Sequence, residues 1–311
     1  MLSRFFSKSQ PIVFLALSFY MLLGFIGAIV FYNYNEFNLL FILKQTGVFL
    51  LLVFLLMLIN FICKRNEIDQ QNAYAILFFS ALSLNFPESI INYKAVMSLI
   101  LVLLAMRRLL NLKNNTRHKK KIFEASFFLF LASLFYPWLI GLVLIIYLAI
   151  AFYSYHDTRN FIVPIMSFFS AYMISLVVYK IFSGHWLNII DNFKSIDVSF
   201  QIFYNNELIF GLSVCILFTV LIIPATIKQI NQDNVQKKLM LRLLSATSIV
   251  FLLLILFFVD LTGDELFIYS GIVVLPSGNF LSFKKNWINE IIIIIFLISP
   301  LISWIPHILN L

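Results

Sequence analysis

Apolar runs of 12 to 22 residues, each closed by a polar or charged break, dominate the chain from Pro11 to Ile305. Runs of that length without regular polar interruption match the roughly 20 residues a helix needs to cross a hydrocarbon core. Reading the breaks as loops predicts eleven segments: Pro11 to Tyr32, Gln45 to Cys63, Ala73 to Leu84, Ala95 to Leu110, Ile122 to Tyr136, Trp138 to Tyr155, Phe161 to Phe182, Leu208 to Ile227, Ser245 to Val259, Leu266 to Phe283 and Trp287 to Ile305. The expected fold is an all-α, polytopic transmembrane helical bundle, a single integral membrane domain over residues 1–311.

Three of these segments carry their own warnings. Ala73 to Leu84 is too short to span unaided, so it either extends through Asn85 and Phe86 or dips in and returns. Ile122 to Tyr155 as one helix would measure about 51 Å against a core of about 30 Å. Pro137 is the expected hinge that divides it. Leu266 to Phe283 contains Pro276, Ser277, Gly278 and Asn279, which break or kink a helix. If it does not cross, the C-terminus changes sides.

Composition agrees with the pattern: 62% of residues are hydrophobic and 12% charged, against near half and a quarter in soluble domains. Net charge is +8, which could attract phosphate, but its placement argues for topology. Eighteen of the 22 Lys and Arg residues fall in alternate loops, with only Lys44, Lys94, Lys180 and Lys194 in the others. The cation-rich loops belong in the cytoplasm, so the N-terminus is expected there, in an inner membrane. Nucleic acid is not an expected partner; membrane lipids are. Arg4 and Lys8 precede the first run, which is expected to be retained as a span.

The loop from Ser183 to Asn206 carries Trp186, Ile189, Ile190, Phe193, Ile196, Phe200 and Phe203 at helical spacing. It is expected to place an amphipathic helix in the outer headgroup layer.

Candidate chemistry is sparse. There is no Gly-rich phosphate loop, nucleophile elbow or metal-binding histidine pair. Cys63 and Cys215 are too far separated along the membrane to expect a disulfide, and neither metal nor cofactor is expected. Ionisable groups near membrane depth are therefore the candidates. Glu36 follows the first run and is a possible base or cation ligand, or a solvated loop acid. Glu88, in Asn85-Phe86-Pro87-Glu88-Ser89, is expected at the N-terminal end of the next helix, as a catalytic carboxylate or a cap. Asp260, Asp264 and Glu265 cluster around Gly263, a cation site or a plain acidic turn. Arg107, Arg108, Arg117, Lys119, Lys120 and Lys121 form the densest cationic stretch, a topology signal or a grip on lipid phosphate.

The order of Asn85-Phe86-Pro87-Glu88, Met106-Arg107-Arg108-Leu109-Leu110, Phe123-Glu124-Ala125 and Ala132-Ser133-Leu134-Phe135-Tyr136-Pro137, with the opening Ser3-Arg4-Phe5-Phe6-Ser7-Lys8-Ser9, resembles an uncharacterised family of multipass inner-membrane proteins from Bacteroidetes. More distantly, about a third of the chain is similar to GT-C glycosyltransferases, which use polyprenyl-phosphate sugars. Tyr136-Pro137 ahead of a long aliphatic helix carries that similarity, with Glu36 as the counterpart of an acid in the first external loop. The resemblance implies an enzyme of envelope biogenesis acting on a polyprenyl-linked sugar at the outer face, with Glu36 or Glu88 as the working carboxylate. A non-enzymatic subunit of an envelope complex, and a transporter of a lipid or apolar substrate, remain the alternatives.

Overall fold

The computed structural model describes residues 5–32, 38–68, 72–114, 117–154, 157–183, 206–230, 235–258, 262–278 and 286–309. Among them the regular structure is entirely helical. Seven of the described helices are long and apolar enough to cross a membrane.

Every expected run forms a helix. In order they are α1 (Pro11–Tyr32), α2 (Leu39–Arg65), α3 (Tyr74–Ser83), α4 (Pro87–Ile91), α5 (Tyr93–Leu110), α6 (His118–Ser133), α7 (Val143–Tyr153), α8 (Val163–Ser183), α9 (Asn206–Ile230), α10 (Val235–Phe258), α11 (Asp264–Val273) and α12 (Asn286–Leu309). The seven long ones are built on α1, α2, α5, α8, α9, α10 and α12. Of the other four runs, α3 and α11 are ten residues each, α6 is sixteen, and the run after Pro137 begins as a 3-10 helix, Pro137–Leu142, before α7. At 1.5 Å per residue a ten-residue helix covers about 15 Å, half of a core about 30 Å thick.

The chain divides into two compact units. Unit 1 comprises residues 1–97, 201–231 and 261–311. Its centre is the pair α3 and α11, in which all ten residues of each helix are buried. Phe79 of α3 meets Phe267 of α11 at 6.2 Å between ring centroids. Phe78, Phe218 and Phe296 form a mutual triad at 4.9–5.5 Å that ties α3 to α9 and α12.

Pro87 explains why α3 is short. It cannot donate, its ring would clash with the carbonyl four residues back, and it forces Phe86 out of the helical region; Phe86 sits at φ −122°, ψ 73°. The carbonyls released by this break are buried and need donors. Asn85 Nδ2 donates to Ala81 O at 2.9 Å and Ser299 Oγ at 3.2 Å, and Trp304 Nε1 donates to Leu84 O at 2.9 Å. Trp304 reaches that carbonyl across Gly27, where a β-carbon would sit 2.5 Å from its ring.

Contacts at both ends fix how the central pair runs. Asn72 Nδ2 donates to Gly278 O at 2.6 Å, and Asn92 Nδ2 to Asp264 Oδ2 at 2.8 Å. Residues 264–278 therefore lie antiparallel to residues 72–92 from end to end. The backbone N–H of Ala73 donates to Phe6 O, and Cys63 Sγ lies 3.8 Å from Leu275 O. So the start of α1 and the end of α2 share the Asn72 end. Phe31 and Trp304 stack edge-on, placing the ends of α1 and α12 toward the Asn92 end.

The last expected weak segment thus stays helical through Val273, continues as a 3-10 turn over 275–278, and covers the same ground as the broken α3–α4. Asn279 to Phe283 lie outside the described residues.

Unit 2 comprises residues 98–200 and 232–260. α6 and α8 are its tightest pair: Ser167 Oγ donates to Phe123 O at 2.7 Å and Phe130 meets Phe168 at 5.8 Å. The Pro137 turn brings Trp138 edge-on to Phe251 of α10 at 5.2 Å. α10 begins ten residues before the expected Ser245, because Met240, Leu241, Leu243 and Leu244 bury one face while Arg242 stays exposed.

Candidate functional site

The Asn92 end of unit 1 gathers the acids. Glu88 lies exposed in the first turn of the next helix, as expected, but that helix is the separate five-residue α4 and not α5. Asn92 is extended (φ −83°, ψ 107°) and divides α4 from α5. Its side chain serves two elements. Oδ1 accepts from the backbone N–H of Lys94 at 3.1 Å, capping α5, while Nδ2 holds Asp264.

Asp264 and Glu265 occupy the first turn of α11, where the helix dipole favours anions. Both are buried, at 9% and 3% exposure. The turn that delivers them needs Gly263, whose φ of +93° is the left-handed region. A β-carbon there would lie 3.2 Å from Leu208 Cδ2 and 3.3 Å from Ser89 Oγ, so the turn is pressed against α9 and α4.

Glu265 folds back on Thr262, accepting from its backbone N–H at 3.1 Å and from its hydroxyl at 3.1 and 3.2 Å to the two carboxylate oxygens. Burial pushes the Glu265 carboxyl up to about 7, the Thr262 hydrogen bonds oppose the rise, and the charge of Asp264 adds to it. Ser89 Oγ is wholly buried and has no hydrogen-bond partner among the described residues.

One end of unit 1 thus combines an exposed carboxylate, a buried carboxylate held by an amide, and a second buried carboxylate poised near neutrality. Such a set can exchange a proton with a hydroxyl or attract a cationic group. Among the described residues no group of three or more His, Cys, Asp or Glu could hold a metal ion. Of the expected acids, Glu36 and Asp260 lie outside the described residues. Apart from its end residues, so does the expected amphipathic helix of Ser183 to Asn206.

The cationic stretch is in unit 2, between α5 and α6. Arg108 Nε pairs with Glu124 Oε2 at 2.6 Å, and Lys120 approaches the other carboxylate oxygen at 4.0 Å. Lys119 pairs with Asp157 at 3.4 Å, both half exposed. Lys121 Nζ donates to Asn111 O at 2.7 Å and Asn114 O at 2.8 Å, closing the carbonyl end of α5 and its 3-10 extension Asn111–Lys113. Partial burial and then the Arg108 charge lower the Lys121 ammonium; partial burial and then Lys121 lower His118. Arg117 is exposed with φ 53°, the left-handed residue that starts α6, and Arg107 is half buried in the last turn of α5. Much of this stretch is thereby engaged in holding its own hairpin.

Sequence reasoning passed over Thr262 and Asn92. Thr262-Gly263-Asp264-Glu265 has the Thr-x-x-Glu spacing of a reciprocal helix cap, which was a readable signal. Nothing local marked Asn92 as the partner of a residue 172 positions away.

No family model, curated protein or solved structure matches this chain.

Proposed function

We propose that the chain is a multi-pass protein of the inner membrane with about eleven membrane segments, its N-terminus in the cytoplasm. In this reading it acts in envelope biogenesis, handling a polyprenyl-phosphate-linked sugar at the outer face. The observation that carries it is the gathering of Glu88, Asp264 and Glu265 at the Asn92 end of unit 1. Lys64 and Arg65 lie at the opposite end, as the inner-face bias of cations requires if the acids face outward. Glu88, exposed, is the general base; Glu265, carrying a proton near neutrality, is its partner acid. Glu36 belongs to the same outer face, and Arg107, Arg108, Arg117, Lys119, Lys120 and Lys121 meet lipid phosphates at the inner one.

The test is replacement of Glu88 and Glu265 by Gln, singly and together, in a strain depleted of the native protein. Loss of envelope glycan with normal protein level supports the reading; full complementation by the double variant overturns it.

A second reading, transport of a lipid or apolar substrate, draws on α3 and α11. Two ten-residue helices buried on every side, one of them broken at Pro87, have the form of the discontinuous helices that line carrier sites. Glycan synthesis in membrane vesicles supplied with lipid-linked sugar already on the outer face separates the two. A carrier becomes dispensable there, whereas a transferase is still required.

A further inference from the structure

The Asn72 end of unit 1 holds a groove of about 560 Å³ between α1 and α2, lined by Phe14, Met57, Asn60, Phe61, Lys64 and Arg65. That volume falls in the range of ligand clefts, about 300–1,000 Å³. Met57, Asn60, Phe61 and Lys64 follow one another at i, i+3, i+4 and i+7, so a single stripe of α2 forms one wall. Along this stripe two apolar side chains and an amide lead up to the cation Lys64. Met57 and Phe61 are 52% and 39% exposed, and the Arg65 guanidinium lies 5.6 Å from the Phe61 ring centroid. Among the described residues neither Lys64 nor Arg65 has a carboxylate partner.

We infer that this groove binds an anionic phospholipid from the leaflet at the Asn72 end. One acyl chain lies along Phe14, Met57 and Phe61; Asn60 meets the ester region; Lys64 and Arg65 hold the phosphate. Arg65 supplies a planar fork that fits phosphate oxygens, and Lys64 a compact charge. A topology signal alone would need the two cations but not the apolar wall that leads up to them. Charge selects the occupant: the groove has two cations at its mouth and no acid in its lining, so a phosphate with no compensating ammonium fits it better than a zwitterionic headgroup. The inference stands on residues separate from the acidic end and does not depend on the reaction proposed there.

The experiment titrates the full-length protein in detergent with phosphatidylglycerol, phosphatidylcholine of the same chain length and inorganic phosphate, reading bound lipid by native mass spectrometry. Phosphatidylglycerol should bind most tightly. The variant with Lys64→Gln and Arg65→Gln should lose about thirtyfold in that affinity, from about 1 kcal/mol per cation. Met57→Trp, which fills the groove, should weaken both lipids while leaving the melting temperature of the lipid-free protein unchanged. Lys94→Gln, which removes an exposed cation at the opposite, Asn92 end of unit 1, should leave binding intact. Equal affinity for the two lipids, unaltered binding to the Lys64/Arg65 variant, or full displacement of lipid by inorganic phosphate would each overturn the inference.

Discussion

The acidic end of unit 1 and the basic hairpin of unit 2 treat the same kind of side chain in opposite ways. At the acidic end of unit 1 charges are sparse, but two are buried and held by uncharged partners, Asn92 and Thr262. In the hairpin of unit 2 charges are dense, exposed or half-buried, and several are bound to opposite charges or to helix carbonyls. The lesson is that density of charge along a sequence locates loops, whereas burial of charge locates groups whose protonation the protein controls. An exposed pair is screened by water and salt; a buried carboxylate has no such relief.

If this contrast holds, disturbing the buried centre should outweigh anything done to the hairpin. Phe79→Ala removes a ring between α3 and α11 and should cost about 3–5 kcal/mol, seen as a large fall in melting temperature of the purified protein. Gly263→Ala comes next, at about 1–2 kcal/mol, because a left-handed backbone is unfavourable for any L side chain. Its effect should exceed that of Gly47→Ala, where a β-carbon meets nothing within 4 Å.

Glu265 sharpens the comparison through pH. Its folded-state pKa of about 7 lies above the ordinary 4.5, so between those values the folded protein keeps a proton that the unfolded chain has released. Stability from this group therefore falls as pH rises from about 4.5 to about 7, then levels off. Melting curves across that window should show the slope, and Glu265→Gln should flatten it. Glu124→Gln is expected to have the smallest effect, below about 1 kcal/mol and shrinking with added salt, since Arg108 and Glu124 are partly exposed. A loss larger than that of Gly263→Ala would reverse the ranking of the two regions.

The fold was more legible than the site, for a physical reason. Apolar runs and prolines act locally: Pro137 marked the change from α6 to a 3-10 turn, and Pro87 the limit of α3. Glu88 was placed rightly in the first turn after the Pro87 break, but the shortness of that helix was not legible, because Asn92 interrupts the backbone where composition gave no warning. The pairing of Asn92 with Asp264 depends on two distant segments meeting, which no spacing encodes. The basic run, the most conspicuous feature of the sequence, owes part of its composition to closing α5 through Lys121.

The central pair is shorter than its surroundings. Ten α-helical residues and the five that follow them in residues 264–278 reach about 25 Å, while the 27 residues of α2 reach about 40 Å. Because no residue of α3 or α11 is left uncovered, lipid never meets this mismatch and is not required to thin around it. The shortfall is instead taken up within the protein, where Asn72 and Asn92 close the two ends of the pair through Gly278 O and the Asp264 carboxylate.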